Sequence, residues 1–102
     1  MKRAAIYARV AHKNDNGEEL EQQIGELREY CKEKGYDVIK LVAEYRVGRT
    51  ISKDLLMVVA DFRNVDIIVA KDKARICRNL PELIRFEELA KELDIEMEYM
   101  NE

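Results

Sequence analysis

The sequence predicts a three-layer α/β/α domain around a mainly parallel sheet of four to five strands. Three observations lead there. Short β-branched runs alternate with amphipathic segments in the order β-α-β-α-β-α-β. The connections between strands are long enough to cross over, which makes neighbouring strands parallel and the crossovers right-handed. The chain has 102 residues, 47% of them hydrophobic and 38% charged, enough for one packed core and not two, so residues 1–102 are read as a single domain.

The first strand is Ala4 to Val10. Arg9 interrupts it near its end, and a polar loop, His12 to Gly17, follows at once. Asn16 with Glu19 has the form of a capping box. It opens a helix over about residues 18–34, in which Leu20, Ile24, Leu27 and Cys31 recur at helical spacing beside Tyr30. Acids in its first turn and Lys32 and Lys34 in its last suit the helix dipole. Gly35 is the residue type that ends a helix in the left-handed conformation.

The second strand is Tyr36 to Ala43, and a loop follows over Glu44 to Ile51. Ser52 caps a second helix of about ten residues, with Ile51 packing on Leu56 as a hydrophobic staple. The run Leu55 to Ala60 is more apolar than one buried face requires. Either the sheet and a neighbour cover that helix on two sides, or an apolar face is left for self-association. Asp61 to Asn64 is a turn, and Asp66 to Ala70 is a buried parallel strand. Lys71 to Asn79 is a cation-rich loop. Pro81 then starts a third helix, about 81–93, with Leu83, Phe86, Ala90 and Leu93 on one face. Ile95 to Met100 alternates apolar with acidic residues, as expected of a last strand near a sheet edge with one wetter face.

No apolar run approaches the ~20 residues that span a bilayer, and Arg9 cuts short any signal-peptide core. Cys31 and Cys77 match no metal spacing and read as reduced thiols of a cytoplasmic protein. The net charge of −3 argues against nucleic acid in bulk. The distribution says more: residues 1–50 carry ten cations against nine acids, whereas residues 82–102 carry eight acids against Arg85 and Lys91. A local basic patch can therefore form elsewhere.

In a parallel sheet every strand-to-helix loop emerges on one edge, where α/β folds bind ligands. Those loops hold Arg9, His12 and Lys13, then Arg46, Arg49 and Lys53, then Lys71, Lys73, Arg75 and Arg78. Helix N-termini add anion donors there, and the arginine fork suits phosphate. DNA is the natural partner, with Arg46, Arg49, Lys71 and Lys73 as backbone contacts. A nucleotide or phosphoprotein remains open on the charges alone, although no glycine-rich phosphate loop is present.

Three segments carry a family resemblance. Tyr7-Ala8-Arg9-Val10 resembles the Y-A-R-V-S opening of the serine recombinases, the resolvase and invertase family. Residues 19–24 and 27–36 are similar to that family's first helix, and Arg75-Ile76-Cys77-Arg78-Asn79-Leu80 resembles its R-L-S-R-N-L segment. The resemblance implies a resolvase-like fold with strand order 2-1-3-4. It implies site-specific DNA strand exchange through a 5′-phosphoserine link, in a dimer or tetramer of the chain, with no metal and no cofactor. Carried over by position, Arg9, Arg75 and Arg78 are the phosphate clamps and Gln23 is the active-site amide.

The departures are equally specific. Ala11 stands in the nucleophile's place, and a methyl group cannot form the covalent link; losing a nucleophile costs on the order of 10⁶ in rate. Ala74 stands where an acid precedes the arginine pair, with Asp72 able to substitute if the loop is one residue longer. Ser52 or Lys53 replaces a further arginine, and Val47-Gly48 replaces a serine-glycine. The chain stops where the family continues into a dimerisation helix and a DNA-binding domain. His12 reads as an exposed loop histidine and Cys77 as a packed thiol rather than as substitute nucleophiles. The expectation is a recombinase catalytic-domain homologue that does not cut: either a degenerate member that holds phosphate and assembles, or a fragment of a larger protein. The alternative is a non-catalytic self-association or regulatory module using helix 52–61.

Overall fold

Seven of the eight residues of β1 (Arg3–Val10) are buried, and the sheet grows outward from it. The computed structural model describes residues 1–13 and 15–102, so Asn14 of the polar loop lies outside the described residues. β1 pairs in parallel with β2 (Asp37–Tyr45) on one side and β3 (Ile67–Ala70) on the other, and β3 pairs in parallel with β4 (Glu96–Tyr99). The order is 2-1-3-4, as expected. Period-two alternation divides the apolar runs between two layers. Ala4, Ile6, Ala8, Ile67 and Val69 meet Leu20, Leu27 and Cys31 of α1 (Glu18–Lys34). Ala5, Tyr7, Ile68 and Ala70 face the other way, toward α2 (Lys53–Ala60), α3 (Lys73–Ile76) and α4 (Leu80–Glu92).

The C-terminus of α1 closes as its sequence predicts. Gly35 takes φ 76°, its N–H donates to Lys32 O at 3.1 Å, and the Tyr36 N–H donates to Cys31 O at 2.9 Å. These two bonds are the Schellman pattern. The N-terminus corrects the expected capping box. An N-cap needs extended backbone, but Asn16 is left-handed (φ 58°, ψ 24°) inside a 3₁₀ turn, Asp15–Gly17. Gly17, at φ 87°, precedes the helix with no side-chain cap.

Ser52 does cap α2, accepting the Leu55 N–H at 3.2 Å. The expected two-sided cover of this helix is absent: Leu55, Val58 and Val59 are buried, but Leu56 is 42% and Met57 66% exposed. The helix lies on the sheet by one face only. The sequence predicts loop over Lys71 to Asn79, but α3 forms within it. At four residues it is too short to show periodicity, and its one signal is Asp72, which accepts the Arg75 N–H at 3.1 Å. Asn79 caps α4 by accepting the Glu82 N–H at 3.3 Å, with Pro81 in the first turn.

On the α1 side, Tyr30 and Tyr36 (2.7 Å) both donate hydroxyl hydrogens to Glu98 of β4. Cys31 and Cys77 are free and buried, and burial pushes the Cys31 thiol up to about 11.

Candidate functional site

The site forms where β1 outruns β3. The β1–β3 pairing ends with Tyr7 opposite Ala70, so Arg9 has no strand beside it on that side. Gln23 of α1 fills the gap. The Arg9 N–H donates to Gln23 Oε1 at 3.1 Å, and Gln23 Nε2 donates to Arg9 O at 3.2 Å. The amide carried over as an active-site group is thus engaged with strand backbone and is 3% exposed.

The Arg9 side chain is itself 1% exposed. Its guanidinium donates to three carbonyl oxygens: Nε to Arg75 at 3.0 Å, Nη1 to Arg46 at 2.8 Å and Nη2 to Ala74 at 2.6 Å. Gly48 lies against the same group and accepts the Arg78 N–H at 2.7 Å. Burial pulls the Arg9 pKa below that of an ordinary arginine, and repulsion from Arg78, Arg75 and Arg46 adds to this.

Arg9, Val10, Ala11, His12, Glu19, Arg75 and Arg78 line one open cavity of about 230 Å³. Ala11 is half-buried and Arg78 exposed. Arg75 reaches Asp72 at 3.9 Å, while its Nε is buried with no hydrogen-bond partner among the described residues. A buried donor without a partner costs about 1–3 kcal/mol. Glu19 also lines the cavity, a place its sequence pattern does not announce. Its only pointer is its position in the first turn of the helix after β1.

The other cations do not line this cavity. Arg46 donates to Thr50 O (2.9 Å) and Thr50 Oγ1 (3.0 Å), and Lys73 Nζ lies 5.8 Å from the Tyr99 ring centroid. Arg49 is exposed and Lys71 half-buried, both outside the lining. Asp72 is occupied with the α3 cap. Cys77 is buried in the core. Ser52 donates to Glu44 Oε1 at 2.7 Å, and the Tyr7 hydroxyl donates to Glu44 Oε2 at 2.8 Å, tying β1, β2 and α2 together. Among the described residues no helix is long and apolar enough to cross a membrane.

Comparison with known proteins places this fold among the catalytic domains of the serine recombinases. The family described as "Resolvase, N terminal domain" matches residues 4–102, and the chain belongs to it. The C-terminal catalytic domain of ISC1926 TnpA, an IS607-like serine recombinase, is similar at a TM-score of 0.86 and 32% identity, with 98% of this chain and 68% of that one covered. The N-terminal catalytic domain of TP901-1 integrase shares the fold at a TM-score of 0.83 and 18% identity, covering 98% and 78%. The first open reading frame of transposon ISC1904 from Sulfolobus solfataricus P2 shares it at 0.79 and 20%, covering 100% and 69%. No curated protein matches the chain. The protein is a serine recombinase catalytic-domain homologue.

Proposed function

We propose that this domain holds the phosphate backbone of duplex DNA at the Arg75–Arg78 cavity and does not cleave it. The observation that carries this reading is one cavity shared by three arginines, Arg9, Arg75 and Arg78, and the methyl group of Ala11. The cations bind phosphate by charge and forked hydrogen bonds. No oxygen at residue 11 attacks it. Arg46, Arg49, Lys71 and Lys73, which do not line the cavity, would be weaker backbone contacts. The buried free thiols suit a reducing, cytoplasmic setting. The test is duplex binding measured against ionic strength. The logarithm of the association constant should fall linearly with the logarithm of salt, by about 0.9 per phosphate neutralised. A flat or absent response removes the reading.

Self-association is a second property of the same reading. Ile51 and Leu56 share a groove with Phe86 and Leu89 of α4, rimmed by Glu82 and Arg85. The occupant that fits is a second copy of this chain. A twofold dimer would bring the same groove of each copy together. Sedimentation as a strict monomer at high concentration would count against it.

A further inference from the structure

We infer that Arg9 is a positioning residue: it braces the loops that present Arg75 and Arg78, and the phosphate contacts fall to those two side chains. The inference rests on the DNA-backbone reading of the site and assigns roles within it.

The last carbonyls of any helix lack intrahelical partners. In α3, which is only four residues long, two of them, Ala74 O and Arg75 O, accept from Arg9. A cation is the favoured partner at that end of a helix. The third carbonyl, Arg46 O, belongs to the loop after β2. One buried guanidinium thus joins the end of β1, the β2–α2 loop and α3. Gly48 completes the joint, with its carbonyl on the Arg78 N–H and its Cα beside Arg9. For Arg9 to turn toward a phosphate, three carbonyls would lose their donor in a buried setting. Arg75 differs in exposure rather than in place: both residues line the cavity, but Arg9 is buried and Arg75 half-buried. Its Nε–H is unpartnered among the described residues, and its side chain lines the cavity. Arg78 lines it too and is exposed. Three of the five N–H donors of Arg9 are bound to carbonyls and its side chain is buried, so the more exposed donors for an anion are on Arg75 and Arg78.

The test reads the arginine side-chain N–H resonances of the ¹⁵N-labelled chain during titration with a short DNA duplex. The Arg75 Nε–H signal is expected to shift and saturate with binding. The Arg9 Nε–H signal is expected to stay in place and to exchange slowly with water. An Arg9 signal that moves along the same binding curve as Arg75 overturns the inference while the DNA reading stands. A titration in which duplex moves no resonance overturns the DNA reading and this assignment with it.

Salt-dependence of variants gives a second readout. Arg78→Gln should lower the salt slope by about one unit. Arg9→Gln should weaken binding about tenfold or more at an unchanged slope. Arg9→Lys keeps the charge but cannot donate to three carbonyls at once, so it should fail to rescue. Recovery with Arg9→Lys, or a reduced slope with Arg9→Gln, identifies Arg9 as a phosphate ligand. The titration of the unaltered chain decides the matter if either Arg9 variant does not fold.

Discussion

Gly48 stands directly over the guanidinium of Arg9: a Cβ built on it would lie 2.6 Å from both Cζ and Nη2. The guanidinium has no room to retreat, because three carbonyls fix it. Gly48→Ala should therefore destabilise the fold by about 1–3 kcal/mol through overpacking. The check is a lower urea midpoint at unchanged m-value. An unaltered midpoint would mean that Arg9 yields freely.

Gln23 serves as a stand-in for the strand that β1 lacks at Arg9. Gln23→Leu keeps the bulk but strands one buried N–H and one C=O, so a loss of roughly 2–4 kcal/mol is expected. Gln23→Glu keeps an acceptor and should cost less. Chemical denaturation of the two variants side by side tests the ranking.

Restoring an oxygen at residue 11 probes whether the cavity is still shaped for chemistry. Ala11→Ser combined with Ala74→Asp is expected to trap a covalent protein–DNA adduct on a nicked duplex, visible on a denaturing gel. The unaltered chain should form none. Absence of adduct from a double variant that folds and binds DNA would show that the cavity no longer aligns the phosphate.

Stability should depend on pH at both extremes. Arg3 grips Asp66 through Nε and Nη2, each at 3.0 Å, and holds its carboxyl down to about 2. Burial pushes Glu98 up, but the hydroxyls of Tyr30 and Tyr36 outweigh it and leave its pKa below that of an ordinary glutamate. Both carboxyls take up protons less readily folded than unfolded. Their contributions are present above the unfolded pKa values and are lost as pH falls from about 4 toward 2. Asp66→Asn should flatten that limb of a urea-midpoint profile. Burial raises Tyr7 to about 12, and hydrogen bonds to Glu98 raise Tyr30 and Tyr36 to about 12. Unfolded tyrosines ionise near 10, so stability should also decline between about pH 10 and 12.

The fold was legible wherever one residue type carries one local demand. The α1 periodicity with Gly35 behind it, Ser52 before α2 and the β-branched run of β3 each permit one arrangement. Asn16 misled because its residue type serves both an N-cap and a left-handed turn, and only the path from β1 into α1 decides between them. α3 escaped notice because it is held by Asp72 at one end and by Arg9, distant in sequence, at the other. Of the cations expected on that edge, Arg9, Arg75 and Arg78 line one cavity, whereas Arg46, Arg49, Lys71 and Lys73 do not. The position of Arg9 was legible but its burial was not, since the groups that engage it are backbone carbonyls, which no residue letter reveals. Gly48 was hidden for a related reason: its contribution is the absence of a side chain.

The Glu98 latch has a bearing on biosynthesis. Its two tyrosine partners precede it by 68 and 62 residues. A ribosome adding about 5–20 residues per second leaves Tyr30 and Tyr36 without their anchor for several seconds after α1 has been made. Nascent chains stalled short of codon 98 should accordingly leave that helix open to a protease, and release of the stall should close it.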